Sequence, residues 1–156
     1  MAVKFIYAGR IERLFANLLD TLILIVPSLL MVELLGDDQQ GPLVLALFTM
    51  NFIYDVSFTS GKWQATPGKR LLNMYVIHKD GSPMRVSHAA ERYLAFVMPS
   101  LPIYTSLIPP ETAQILVLWL SFLWFMPILA TVERTGIHDM MCHTRVITGK
   151  ADDKKK

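Results

Sequence analysis

Charge is scarce in this chain and cysteine nearly absent. Of 156 residues only 18% are charged, 53% are hydrophobic, and the mean hydropathy is +0.38. That balance is high for a water-soluble domain of this length. The single cysteine, Cys142, excludes an internal disulfide. A net charge of +2 gives no reason to expect a nucleic-acid partner. No serine or cysteine nucleophile stands beside a general base, so an enzyme is the class the sequence supports least. "GKWQATPGKR" superficially resembles a phosphate-binding loop, but its spacing is wrong and Arg70 occupies the required Ser/Thr position.

What the chain does have is long apolar runs. No linker and no internal repeat is evident between them. Leu14 to Leu35 is 22 residues, enough at ~1.5 Å per residue to cross a ~30 Å hydrocarbon core. The polar loop "GDDQQGP" closes it. Leu43 to Ser60 forms a second span, apolar until Asn51. "TAQILVLWLSFLWFMPILATV", Thr112 to Val132, forms another. Between these lies "YLAFVMPSLPIYTSLI", Tyr93 to Ile108, which is short and interrupted by Pro99 and Pro102. It reads as a kinked crossing, with half of a re-entrant hairpin as the alternative. The expected fold is therefore an all-α polytopic membrane protein with four transmembrane helices, the third short and proline-kinked, making a single membrane domain over residues 1–148.

The basic residues decide between topologies. Lys4, Arg10 and Arg13 precede the first span; Lys62, Lys69, Arg70, Lys79, Arg85 and Arg92 lie between the second and third; Arg134, Arg145, Lys150 and Lys154 to Lys156 follow the last. Four crossings put all 15 basic residues on one side, whereas the opposite loops, "GDDQQGP" and "IPPE", carry none. The positive-inside rule then places both termini and the central loop in the cytoplasm. Three crossings would split the charges. The N-terminal run is not read as a cleaved signal peptide, because it is long, contains Asp20 and lacks a small-residue cleavage site.

The cytoplasmic stretches have their own pattern. In "ATPGKRLL", Thr66 fits a helix N-cap and Pro67 the first helical position. "MYVIHKDGSPMRV" reads as a hairpin turning at Asp80-Gly81, and "TRVIT", Thr144 to Thr148, is a strand able to pair with it, forming a small sheet cap. The polar tail, residues 149–156, reads as disordered.

Arg13 before the first helix, Asp20 seven residues on, "ATPGKRLLNMYVI", "DGSPMRVSHAAER" and the closing "RTGIHDMMCHTRV" together resemble the RDD family of small bacterial membrane proteins. The resemblance covers Gly9 to about Thr148. The family takes its name from one arginine and two aspartates. Arg13 and Asp20 match the first two, and Asp139 is assigned as the third with Asp55 as its rival. Departures are Asn51 and Asp55 in the second span, and "MCH" where the family typically has small residues. The resemblance implies a bacterial inner-membrane location and suggests transport of ions or other ligands. It also implies that His138 and Asp139 form a turn before the final strand, with Asp139 pairing Arg145 or Arg13.

Asp20 poses the physical question, since a carboxylate inside an apolar helix is costly. Arg10, Arg13, Asn17 and Asp20 form one helical stripe. Arg13 and Asp20 are ~10 Å apart along the axis, too far to pair with each other. Asn51 and Asp55 form an i, i+4 pair on the returning helix, at a similar depth. Two carboxylates there would share a proton or cation. Alternatively they are interhelical glue, with Arg92 and Arg134 neutralising them. His138, Cys142 and His143 offer metal-ligand atoms without a recognised spacing, so neither metal nor cofactor is expected. Two functions follow. One is a small transporter of protons, cations or a small ligand, expected to act as a homo-oligomer; the other is a non-catalytic accessory subunit of a larger membrane complex.

Overall fold

The computed structural model describes residues 6–36, 40–104 and 108–149. Lys4, residues 37–39 of the "GDDQQGP" loop and the proposed disordered tail beyond Gly149 lie outside the described residues. The elements are α1 (Arg10–Leu35), α2 (Gln40–Ser60), α3 (Pro67–Leu71), β1 (Met74–His78), α4 (Val86–Val97), a 3₁₀ segment (Met98–Tyr104), α5 (Pro110–Phe125), α6 (Pro127–Ala130), α7 (Ile137–Met141) and β2 (Thr144–Thr148).

Among the described residues, three helical stretches are long and apolar enough to cross a membrane: Arg10–Leu35, Gly41–Ser60 and Pro110–Ala130. Their outward side chains have no protein partner to bury them; Val26 and Leu118 are each 71% exposed. Such faces are stable only against lipid. The segment expected as the third, short and proline-kinked crossing is not among these three: it is a short helix, α4, that tightens into the 3₁₀ segment at Met98. Pro99 and Pro102 cannot donate the backbone bonds of a continuing α-helix. α1 begins at Arg10 rather than Leu14, so Arg10 and Arg13 are helical. The last span breaks at Met126, before Pro127, and ends at Ala130 rather than Val132.

The cap holds the buried core. β1 and β2 pair antiparallel, with Tyr75 opposite Ile147, Val76 opposite Val146 and Ile77 opposite Arg145. Alternation sends Met74, Val76 and Val146 toward Ala16, Val56, Ala89 and Tyr93 of the helices. Tyr75, Ile77 and Ile147 form a second cluster under Tyr7. The hairpin expected at Asp80-Gly81 is corrected by this pairing. The chain does turn there, with Gly81 at φ 88°, but its return arm contributes only one bridge, Ile77 to Pro83. The main partner of β1 is β2, because hydrophobic β2 offers five paired residues where "SPMRV" interposes a proline without an N–H.

The fold also contains a repeat that the residues do not advertise. Gln40 and Pro110, Pro67 and Ile137, and Met74 and Thr144 open equivalent elements 70 residues apart, and Ser60 and Ala130 close equivalent helices at the same spacing. Left-handed residues recur in step: Gln64 with Arg134, both at φ 53°, and Asn73 (φ 55°) with His143 (φ 51°). Each unit opens on a bridge residue, Tyr7 or Pro83, that pairs with the other unit's strand, at Ile147 or Ile77. α1 and α4 each begin three residues after that bridge. The strand pairing is symmetric about Val76–Val146. The chain is thus two copies of one helical-hairpin unit, related across the sheet.

Candidate functional site

Asp20 is answered first. Its Oδ1 accepts from the Tyr54 hydroxyl at 2.7 Å and from the Gly68 amide at 2.7 Å, and its Oδ2 accepts from Thr66 Oγ1 at 2.5 Å. Gly68 is in the first turn of α3, where backbone N–H groups lack helical partners. The carboxylate of α1 therefore caps α3 across the molecule. Thr66 occupies the N-cap position and Pro67 the first turn as expected, but the Thr66 hydroxyl turns to Asp20 instead of its own helix. Gly68 is required sterically. A Cβ there would overlap the Ala16 carbonyl oxygen and lie 2.8 Å from Asp20 Cγ.

Asp139 forms the second buried node, 1% exposed. Arg92 approaches it with Nε and Nη2, each 3.0 Å from Oδ1, and Arg13 Nη1 lies 3.5 Å from Oδ2. Thr144 Oγ1 donates to Oδ1 at 3.2 Å. Burial alone would raise the carboxyl, yet Arg92 and Arg13 outweigh it and hold Asp139 well below the usual carboxylate range. Arg13 also donates through Nη2 to the Val146 carbonyl at 3.1 Å, tying the first helix to the last strand. Of the two partners weighed for Asp139, Arg13 is the one in contact; Arg145 pairs with Glu133 and donates to the Thr144 carbonyl at 2.7 Å.

Asp55 is held more loosely. Lys69 Nζ lies 3.8 Å from its Oδ2, and Thr59 Oγ1 lies 3.5 Å from its Oδ1. Burial lowers the Lys69 ammonium's hold on its proton, with Asp55 opposing. The expected neutralisation of Asp20 and Asp55 by Arg92 and Arg134 is not what the structure shows. Arg92 serves Asp139, and Arg134 Nη1 sits 3.4 Å from the carbonyls of Tyr7 and Ala8. Asn51 donates to the Leu47 carbonyl at 2.8 Å. One cavity of about 250 Å³ gathers Arg13, Asn17, Asp20, Asn51, Asp55 and Asp139, together with Tyr54, Thr66, Lys69 and Arg92.

The remaining candidates are dispersed. His138 is buried between the rings of Phe96 and Phe125, with centroids 5.3 and 5.5 Å away. Cys142 is half-buried and free, and His143 is the left-handed residue before β2. Among the described residues, no three His, Cys, Asp or Glu side chains are grouped to hold a metal ion. Sequence reasoning missed Tyr54, Thr66, Gly68 and Lys69 as site residues, although three of them stand in the quoted "TPGK". It also missed His78 and His88, whose ring nitrogens lie 2.8 Å apart, and no spacing rule would have joined them.

A polytopic helical protein with apolar outer faces and a buried layer of matched charges is an integral membrane protein. Residues 7–143 match the RDD family model, and the chain belongs to the RDD family. It is similar to an uncharacterized protein, YxaI, of Bacillus subtilis (strain 168), at 26% identity over 106 residues, which is 68% of this chain and 58% of that protein. The chain thus spans less than two thirds of the relative it matches. No solved structure matches it.

Proposed function

We propose that the protein is a non-enzymatic carrier of protons or small cations in a bacterial inner membrane, with both termini cytoplasmic. The observation that carries this reading is the Asp55–Lys69 pair on the shared cavity. Asp20 and Asp139 are engaged by three or more partners each, whereas Asp55 meets Lys69 at only 3.8 Å. A cation reaching Asp55 displaces the Lys69 ammonium, which then releases its proton to the water-filled side. Exchange of one cation for one proton follows, with no covalent chemistry. Flux in proteoliposomes tests it. Asp55→Asn and Lys69→Gln should each abolish cation-driven proton movement, at a cost in thermal stability that the double variant largely recovers because no buried charge is then unpaired. Flux that persists in both variants ends this reading.

The topology belongs to the same proposal. The repeat supports four crossings, because the 86–104 segment is the counterpart of the first spanning helix and begins from the same sheet. The all-basic side supports cytoplasmic termini. Reporter fusions at residues 39, 82, 110 and 150 should read outside, inside, outside and inside. An outside signal at 82 or 150 defeats it.

A second reading, an accessory subunit of a larger membrane complex, is favoured by the saturation of Asp20. A carboxylate with three donors is interhelical structure and moves nothing. Extraction in mild detergent separates the readings: a stoichiometric partner that co-purifies supports the subunit, and a homo-oligomer whose stability depends on cations supports the carrier.

A further inference from the structure

The two units of the repeat do not close in the same way. In one inter-unit seam α2 packs along α4. Phe48 and Phe52 meet the ring of Tyr93 there edge-on, with centroids 5.9 and 5.5 Å apart. The repeat makes the seam between α5 and α1 its counterpart, with Leu118 and Phe122 in place of Phe48 and Phe52, and Asn17 in place of Tyr93. Among the described residues, α1 and α5 do not pack as α2 and α4 do. The ring that closes one seam is a short amide in the other. The second seam stands open.

The open seam holds two adjoining spaces. The polar cavity reaches it, and an apolar groove of about 710 Å³ runs along α5, lined by Leu118, Trp119, Phe122, Met126 and Leu129. Phe125 and Ile128 line both spaces, so the two adjoin. From Leu129 to Leu118 is ~17 Å along a helix, the length of a long acyl chain. Arg10 stands at the cytoplasmic end of the groove, donating to the Ile128 and Leu129 carbonyls at 3.1 and 2.6 Å. The three carboxylates of the cavity already face donors or cations. Of the buried side-chain nitrogens without a partner among the described residues, Arg13 Nε, Trp124 Nε1, His138 Nδ1 and Arg145 Nε, those of Arg13 and His138 belong to the cavity lining, and Arg13 is the arginine of the two. A polar end rich in arginine donors joined to an apolar trough fits a molecule with an anionic head and a long tail.

We infer that the α1–α5 seam binds one anionic bilayer phospholipid, its acyl chain along Leu118–Leu129 and its phosphate between Arg10 and Arg13. A phosphate there takes the orphaned Arg13 Nε and offsets one of the arginine charges at this end of the seam. The acyl chain covers apolar surface of the kind that α4 covers with Tyr93 in the closed seam. The site rests on membrane insertion of α1 and α5 and is independent of ion passage, so it stands or falls separately from the carrier reading.

Native mass spectrometry of the purified full chain in detergent tests it, with phosphatidylglycerol and phosphatidylcholine of identical acyl chains as probes. The wild type should retain one phosphatidylglycerol with about tenfold preference over phosphatidylcholine. Asn17→Tyr with Leu118→Phe copies the closed seam into the open one and should lower retention about tenfold. Leu129→Trp, which blocks the groove from its other end, should do the same and serves if the double variant is not monodisperse. Arg10→Gln should reduce the headgroup preference to near parity. Unchanged retention in the filled variants overturns the site, and equal retention of the two lipids by the wild type overturns the headgroup assignment.

Discussion

The Gly68 amide donates to the Asp20 carboxylate at 2.7 Å, although the two residues are 48 positions apart. This contact explains both members of the pair. Asp20 supplies the negative charge favoured at the first turn of α3, and Gly68 lets α3 approach α1 closely enough to use it. Gly68→Ala should therefore be far more damaging than a glycine change at an open site. The added methyl overlaps the Ala16 carbonyl and crowds Asp20, for an expected loss of about 2–4 kcal/mol. Gly41→Ala, where nothing lies within 4 Å of the added carbon, is the control. Equal thermal midpoints for the two variants would refute the close approach.

Asp20 itself should grade its substitutions by chemistry. Asparagine keeps one oxygen for Tyr54 and Gly68, and the Thr66 hydroxyl can rotate to accept from the new amide. Asp20→Asn should cost about 1–2 kcal/mol through the loss of charge assistance. Asp20→Ala leaves the buried Gly68 amide without its acceptor and should cost about 3–5 kcal/mol. Thermal unfolding in one detergent decides. If Asn is as harmful as Ala, the hydrogen-bond count does not govern this joint.

The sequence made some of this legible. Period and length marked α1, α2 and α5; Pro67 marked the start of α3; and the β-prone runs marked β1 and β2, including their pairing. Asp20 announced itself because a charge in an apolar run must have a partner. Which partner it takes is a tertiary matter, since Thr66 and Gly68 read locally as a cap and a loop. The repeat stayed hidden for a physical reason. Equivalent positions keep their backbone shape but exchange their chemistry: Asp20 for Phe96, Tyr54 for Trp124, Asp55 for Phe125, Lys69 for Asp139. Two carboxylates answer to phenylalanines and a lysine answers to an aspartate, so a search for like residues sees little. The left-handed positions and "VI" at 76–77 and 146–147 were the surviving signal.

Arg13 binds two separate acceptors, Asp139 through Nη1 and the Val146 carbonyl through Nη2. A lysine reaches only one of them. Arg13→Lys should lose about 1–2 kcal/mol, while Arg92→Met, which strips Asp139 of its nearest cation, should lose about 3–5 kcal/mol. The double substitution Arg92→Met with Asp139→Leu should recover much of that loss, because no buried charge is then unpaired. A double variant no more stable than Arg92→Met alone would show that Arg92 acts other than through Asp139.

The last expectation concerns pH. Burial between Phe96 and Phe125 lowers His138 from 6.5 to about 4, against the pull of Asp139 3.4 Å away. The unfolded chain takes up this proton near the ordinary value, and the folded chain does not until about 4. In that window the unfolded state binds more protons, so stability must rise with pH. The contribution is complete above the ordinary histidine value and is lost as the pH falls from there toward 4, amounting to about 3 kcal/mol in all. Asp139, held below the usual carboxylate range, contributes its own loss only at more acid pH. Thermal midpoints measured from about pH 7.5 to 4.5 should therefore fall steadily in the wild type. His138→Gln, which keeps a polar contact for Asp139 but cannot titrate, should flatten that profile and cross the wild type near its acid end. Parallel profiles for the two proteins would mean that His138 is not the group that charges on unfolding.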